Sequence, residues 1–375
     1  MTGSRSRQRV SGSLGPVRGG LRRRDFLRLA AAGAAACAWP GLALPNLAWA
    51  DGPDPLAGIP VIDIHAHPDT GLGDGGARTA DLAPAGVSAA CYAAVGDSVW
   101  SRGKGDRTEY ENVKEKLGGV LRGPVGRGEA GLVRTVADIP GPGAARAGAL
   151  LAIEGGDPLE GKVERVDEVY ALGVRIITLV HYRNNALGDI MYARPNSANP
   201  GPQRHGLSEF GRAVVARMEV LGMLVDVAHA SAETLRDVLA VATKPVVDSH
   251  TGPCGRNTAA EAAHCGRRRT WEEMEWVAKA GGLVGSWVSA GGRSESRDFA
   301  AWAKDILEMR DRLGPQAVCL GTDSGGHLPA YVDGYTSWRD LRQLAAALTA
   351  AGMPRDDLAA FFGGNALRVL RQCLG

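Results

Sequence analysis

Past residue 50 the chain has no apolar stretch long and uninterrupted enough to span a bilayer, so the mature protein is expected to have no membrane span. Cysteine is sparse. Six occur in the chain, and those past residue 50 are Cys91, Cys254, Cys265, Cys319 and Cys373. An odd, scattered set in a large domain excludes a disulfide framework. Cys254 and Cys265 fall on one predicted loop and could pair. Cys91 and Cys319 lie in apolar runs and read as buried small residues. There is no basic stripe and no internal repeat. The formal charge of +2 conceals eight Arg and one Asp in the first fifty residues, which leaves the remainder mildly acidic. Nothing in that balance supports nucleic-acid binding.

The first fifty residues do not read as part of a fold. A polar, basic stretch ends in Arg22-Arg23-Arg24-Asp25-Phe26-Leu27, an Ala-rich apolar run follows, and Ala48-Trp49-Ala50 closes it. This is the order of a secretory signal: positive region, apolar region, small-x-small cleavage site. The paired Arg before Asp-Phe-Leu resembles a twin-arginine signal. Residues 1–50 are therefore predicted to be a signal peptide cleaved after Ala50, and the protein to be exported, periplasmic or extracellular. Lipidation at Cys37 is the weaker rival, because the Leu expected three positions upstream is absent.

Residues 51–375 are expected to form one domain. With 45% hydrophobic residues the chain can bury a large core. Eight short apolar runs read as strands: Ile59–Ile64, Gly86–Val95, Ala149–Ile153, Val174–Val180, Met223–Ala228, Pro245–Asp248, Gly282–Trp287 and Ala317–Gly321. Near-continuous apolar runs are what a parallel sheet covered on both faces requires. Helical patterns at Leu207–Leu221, Trp271–Ala280 and Phe299–Leu313 separate several of them. Alternating strands and helices predict an α/β fold, a (β/α)8 TIM barrel. An open doubly wound sheet is the alternative, but no Gly-rich phosphate turn follows the first strand. Residues 96–147 read as irregular, with a helix near Glu109–Leu121. Residues 181–206 and 251–268 read as long loops of the kind that border a barrel's active site.

The metal-capable residues fall at strand ends. His65 and His67 follow the first predicted strand, Glu154 the third, His181 the fourth, His229 the fifth, His250 the sixth and Asp323 the eighth. Each sits at a strand's C-terminal end, where barrels build active sites. A lone His there would ordinarily be structural, Glu154 a helix cap and Asp323 a turn residue. As a set at one rim they point to metal. His65-Ala66-His67 in an extended chain sends both imidazoles the same way. Glu154, the only acid from the central strands, could bridge two cations roughly 3.5–4 Å apart. Nitrogen and carboxylate ligands suit Zn2+, with Mn, Fe or Co as alternatives. Asp323 could take a proton from water and pass it to a leaving amine.

These residues resemble the membrane dipeptidase (renal dipeptidase) family of the amidohydrolase superfamily, from about Ile59 to the C-terminus. The matching stretches are Val-Ile-Asp-Ile-His-Ala-His at 61–67, Ala-Ile-Glu-Gly-Gly at 152–156 and Leu-Gly-Val-Arg-Ile-Ile-Thr-Leu-Val-His at 172–181. They continue with Gly-Leu-Ser-Glu-Phe-Gly at 206–211 and Leu-Gly-Met-Leu-Val-Asp-Val-Ala-His-Ala-Ser at 221–231. Pro-Val-Val-Asp-Ser-His at 245–250, Gly-Thr-Asp at 321–323 and Gly-Gly-Asn-Ala-Leu-Arg-Val-Leu at 363–370 complete the set. The resemblance implies a binuclear zinc barrel that hydrolyses dipeptides through a metal-bridging hydroxide, often tolerating a C-terminal D-residue. It implies that His65 and His67 hold one ion, that His229 and His250 hold the other, and that Glu154 bridges them. It gives His181 contact with substrate and tetrahedral intermediate, and Asp323 the acid/base role. An Arg after the sixth strand should bind the dipeptide carboxylate; Arg269 is favoured within Arg267-Arg268-Arg269. Homodimers are common in the family, but nothing in this sequence locates an interface.

Three departures stand out. The family usually has His-x-Asp after strand one, where this chain has His67. A second Asp often follows the one matched by Asp323, where this chain has Gly325. The loop from His250 to Arg269 looks longer than usual. Rival readings are an amidohydrolase acting on N-acyl amino acids, lactams or lactones, and a non-catalytic binding protein on the same barrel. A modified Lys bridging the metals is disfavoured, since no Lys ends the third or fourth predicted strand.

Overall fold

A computed structural model describes residues 54–70, 77–97, 107–191, 205–290 and 297–375. The predicted signal peptide, its cleavage site and Cys37 lie outside the described residues. Nine strands occur among the described residues: β1 Val61–Asp63, β2 Val87–Val95, β3 Ala130–Leu132, β4 Ala147–Glu154, β5 Val174–Thr178, β6 Leu224–Asp226, β7 Val247–Thr251, β8 Leu283–Ser286 and β9 Val318–Leu320. All pair in parallel, in the order β1-β2-β4-β5-β6-β7-β8-β9. Backbone bonds then join the two ends of this path. Ile64 N–H donates to Leu320 O at 3.1 Å, Asp323 N–H to His65 O at 2.9 Å and His67 N–H to Ser324 O at 2.8 Å. The eight strands thus form the expected (β/α)8 barrel.

Every residue of these eight strands is buried, which is why each reads as an unbroken apolar run. β3 is the departure from the sequence reading. It pairs with the start of β4, Ala130 opposite Ala147, on the edge that β5 takes over from Leu151 onward. The helices at Glu109–Val120, Glu209–Leu221, Trp271–Lys279 and Phe299–Leu313 match their patterns, and Thr108, Ser208, Thr270 and Asp298 cap their first turns. No helix among the described residues is long and apolar enough to cross a membrane.

The barrel interior is filled by side chains such as Ile62, Cys91, Leu150, Ile176, Leu224 and Cys319, together with Val369, Leu370 and Cys373 of the helix Asn365–Leu374. That helix covers the N-terminal end of the strands: Arg368 donates to Gly281 O and Gln316 O, just before β8 and β9. Chemistry is left to the opposite rim.

Candidate metal centre

The strand ends deliver their side chains to one point. Glu154 is the last residue of β4, and five imidazoles surround its carboxylate. His229, His65, His181 and His250 bring Nε2 to 3.2, 3.4, 3.4 and 3.5 Å of Oε1, and His67 brings Nε2 to 3.4 Å of Oε2. Asp323 Oδ1 lies 3.3 Å from His67 Nε2 and 3.9 Å from His65 Nε2. All seven side chains are buried. His229 and Asp323 adopt φ of 65° and 56°, a left-handed backbone uncommon outside glycine that turns each side chain back over the barrel mouth. Gly325, where the family often has Asp, has φ 82° and packs against His67, and a Cβ on Gly326 would strike Asp323 Oδ1. A tight glycine turn holds Asp323 in place.

Partners behind the rings fix which nitrogen faces inward. His67 Nδ1 lies 2.8 Å from the Ala93 carbonyl, which can only accept, so Nδ1 carries a proton and Nε2 is the acceptor of the neutral ring. Ser249 Oγ gives its one proton to Asp226 Oδ2 at 2.7 Å. It therefore accepts from His250 Nδ1 at 2.8 Å and His65 Nδ1 at 3.3 Å, and both rings turn Nε2 inward, the atom that a cation would take in place of a proton. Arg267 Nη2 donates to His229 Nε2 at 3.3 Å, so that nitrogen is bare. His181 is backed by Asp97, whose Oδ2 lies 3.3 Å from Nδ1. Bare Nε2 atoms of His229 and His250 stand 2.9 Å apart. Lone pairs so close repel unless a cation sits between them, and His65 Nε2 is buried without a hydrogen bond. The donor set fits divalent metal.

The charges agree. Burial raises the Glu154 carboxyl, but His181 and His65 outweigh it and hold it well below the usual carboxylate range. Burial, with Arg267 beside it, drives His229 down to about 3, and burial with His65 and His229 holds His250 well below its ordinary value. Burial also opposes charge on His65, yet Glu154, Asp323 and Asp226 lift it to about 9. Without a cation, the Glu154 charge is thus balanced by a proton held at His65, while His229 and His250 stay neutral acceptors. Three overlapping trios lie within cation-binding reach: His65/Glu154/His250, His65/His67/Asp323 and Glu154/His181/His229.

The three arginines part company. Arg269 is fully buried. It donates to Asp248 Oδ2 at 2.7 Å, Glu273 Oε1 at 3.1 Å, Ala230 O at 2.6 Å and Val227 O at 2.7 Å, four bonds within the core that use four of its five N–H donors. Arg268 donates to Ser289 O at 2.9 Å. Arg267 lines the pocket with Glu154, His181, Tyr182, Asp323 and His327, donating to Tyr182 Oη at 2.9 Å. Of the three, Arg267 is the one that lines this pocket, and Arg269, bonded into the core, is not placed for the carboxylate role expected of it. Sequence reasoning also passed over Asp97, Asp226 and Ser249. Asp97 had a signal, since it ends the second predicted strand as the metal-capable residues end theirs. Cys254 and Cys265 form a disulfide, while Cys91, Cys319 and Cys373 are free and buried.

The sequence profile of the membrane dipeptidase family, peptidase family M19, matches residues 129–374. This chain belongs to that family. The matched stretch includes Glu154, His181, His229, His250, Arg267 and Asp323, while His65 and His67 precede it. Dipeptidase aclJ of Aspergillus oryzae is 30% identical over 232 residues, 60% of this chain and 51% of that protein. Dipeptidase verJ of Clonostachys rogersoniana is 27% identical over 226 residues, 60% of this chain and 55% of that protein. The chain thus spans about half the length of the curated relatives it matches. Among solved structures, an amidohydrolase from Pseudomonas aeruginosa superimposes with TM-score 0.69 at 24% identity, covering 86% of this chain and 98% of that one. A Rhodobacter sphaeroides metallopeptidase, liganded with a phosphinate mimic of L-Ala-D-Ala, superimposes with TM-score 0.69 at 20% identity, covering 84% and 99%. Both share the fold of this chain.

Proposed function

We propose that this chain is an exported, zinc-dependent dipeptidase holding two metal ions. The observation that carries the reading is the Glu154 carboxylate ringed by five imidazole Nε2 atoms. In it His65 and His67 serve one ion, His229 and His250 the other, and Glu154 both. When bound, the cations acidify a water and polarise the scissile carbonyl. Asp323 accepts the proton released at the nucleophile and returns it to the leaving amine. His181, held from behind by Asp97, supports the oxyanion of the tetrahedral intermediate. Arg267 clasps the C-terminal carboxylate with a fork suited to it, and Tyr182 steadies that fork. Acceptance of a C-terminal D-residue is part of the proposal. The disulfide supports export, since such bonds persist in oxidising compartments.

The test is a panel of L,L- and L,D-dipeptides, dipeptide amides, N-acyl amino acids, lactams and lactones, each with and without chelator. Chelator-sensitive cleavage of free dipeptides supports the reading. Turnover of acyl amino acids, lactams or lactones alone replaces it with the wider amidohydrolase reading. Two bound metals with no turnover replace it with a binding role. An exported protein beginning well upstream of Asp51 defeats the proposed cleavage after Ala50.

A further inference from the structure

Arg267 sits on a four-residue turn, Cys265-Gly266-Arg267-Arg268, closed by Arg268 N–H donating to Cys265 O at 3.2 Å. Gly266 supplies the left-handed step with φ 64°. Downstream, the turn runs into Arg269, whose N–H donates to Gly252 O at 3.1 Å and whose carbonyl accepts from Cys254 N–H at 3.0 Å. Upstream, Cys265 is bonded through sulfur to the same Cys254, with the two Cα atoms 5.2 Å apart. Both ends of the turn are thus fastened to one segment, residues 252–254. The first fastening is backbone hydrogen bonding and the second is the disulfide. At the tip, the guanidinium lies between the rings of Tyr182 and Trp287, 4.9 and 5.5 Å from their centroids, and reaches His229.

We propose that the Cys254–Cys265 disulfide is a positioning element for substrate binding: it holds the Arg267 turn, so substrate affinity follows the redox state of this bond. The inference rests on the reading of Arg267 as the carboxylate clasp. A misplaced clasp weakens binding of the carboxylate and leaves the cations and Asp323 in place. Cys254 is half-buried and Cys265 buried, so a reductant approaches from the Cys254 side. The step balances: a small dithiol delivers two electrons and two protons, the Cys254 and Cys265 thiols form, and the dithiol closes to its own disulfide.

The experiment uses the metal-loaded protein, with thiol alkylation and mass spectrometry to report the state of the bond. Wild type is compared before and after dithiothreitol, next to Cys254→Ser/Cys265→Ser and Arg267→Met. kcat and KM are measured on a dipeptide and its C-terminal amide, and metal content is measured in every sample. The expected result is a KM rise on the order of tenfold for the free dipeptide on reduction or in the double variant. kcat, metal content and KM for the amide stay put, and the double variant ignores dithiothreitol. Several results overturn the inference: free thiols in the untreated protein, an unchanged dipeptide KM in the double variant, or equal losses on dipeptide and amide. If Arg267→Met leaves the dipeptide KM unchanged, the clasp reading falls and takes the inference with it. If Arg267→Met raises KM and the cysteine variants do not, the inference fails alone.

Discussion

His67 donates its Nδ1 proton to the carbonyl of Ala93 across 2.8 Å, and that bond aims Nε2 at Glu154. His67 stands where the family usually has Asp, so in the proposed ligand set this ring would offer a nitrogen in place of a carboxylate. His67→Ala removes the nitrogen and keeps the fold. Metal affinity at one of the two sites should fall by about a hundredfold or more, with activity falling in step. Equilibrium dialysis with metal analysis checks this; undiminished binding would remove His67 from the ligand set.

Ser249 lies behind the candidate metal centre, between Asp226 and the rings of His65 and His250. Its hydroxyl accepts from two imidazoles while donating to Asp226, so Ser249→Ala loosens His65 and His250 together. Metal affinity should drop by about 10–100-fold with little change in the far-ultraviolet circular dichroism. A loss of fold without a change in affinity per folded molecule would argue against the role.

Arg267→Met and Arg269→Met should differ in kind. The first removes a charge-assisted contact worth about 1.5–3 kcal/mol, so dipeptide KM rises roughly 10–100-fold while stability holds. The second strands Asp248 and Glu273 in the core and should cost about 3–5 kcal/mol by denaturant unfolding. A stable Arg269→Met protein with raised KM would restore the role expected from sequence.

The penalty in Arg269→Met should also depend on pH. Burial outweighs the Arg269 charge at Asp248 and lifts its carboxyl from 3.8 to about 6. A raised carboxyl favours the fold while protonated, so its contribution is full below the unfolded value and is lost as pH rises through about 6. Without Arg269 the carboxyl rises further. The variant should therefore be closer to wild type at pH 5 than at pH 8, and unfolding curves at both values test the sign.

Much of this was legible in the sequence. The barrel strands were readable because a parallel sheet buried on both faces demands unbroken apolar runs, and six of the eight runs led into a residue the sequence marked as able to hold metal. β3 was missed because Ala130-Gly131-Leu132 is too short and too small to stand out from its Gly- and Arg-rich surroundings. The choice among Arg267, Arg268 and Arg269 was beyond sequence, since adjacent identical side chains differ only in what they meet. Asp248 and Glu273 claim Arg269, and Tyr182 and His229 take Arg267. The tautomers likewise depend on partners such as Ala93 and Ser249, which only the closed barrel brings behind the rings.

Elemental analysis of active, purified protein tests the central claim most directly. About two divalent ions per chain are expected, with dipeptide hydrolysis lost on chelation, restored by added metal, and weak in Glu154→Gln. Full hydrolytic activity from protein without stoichiometric metal would contradict the account.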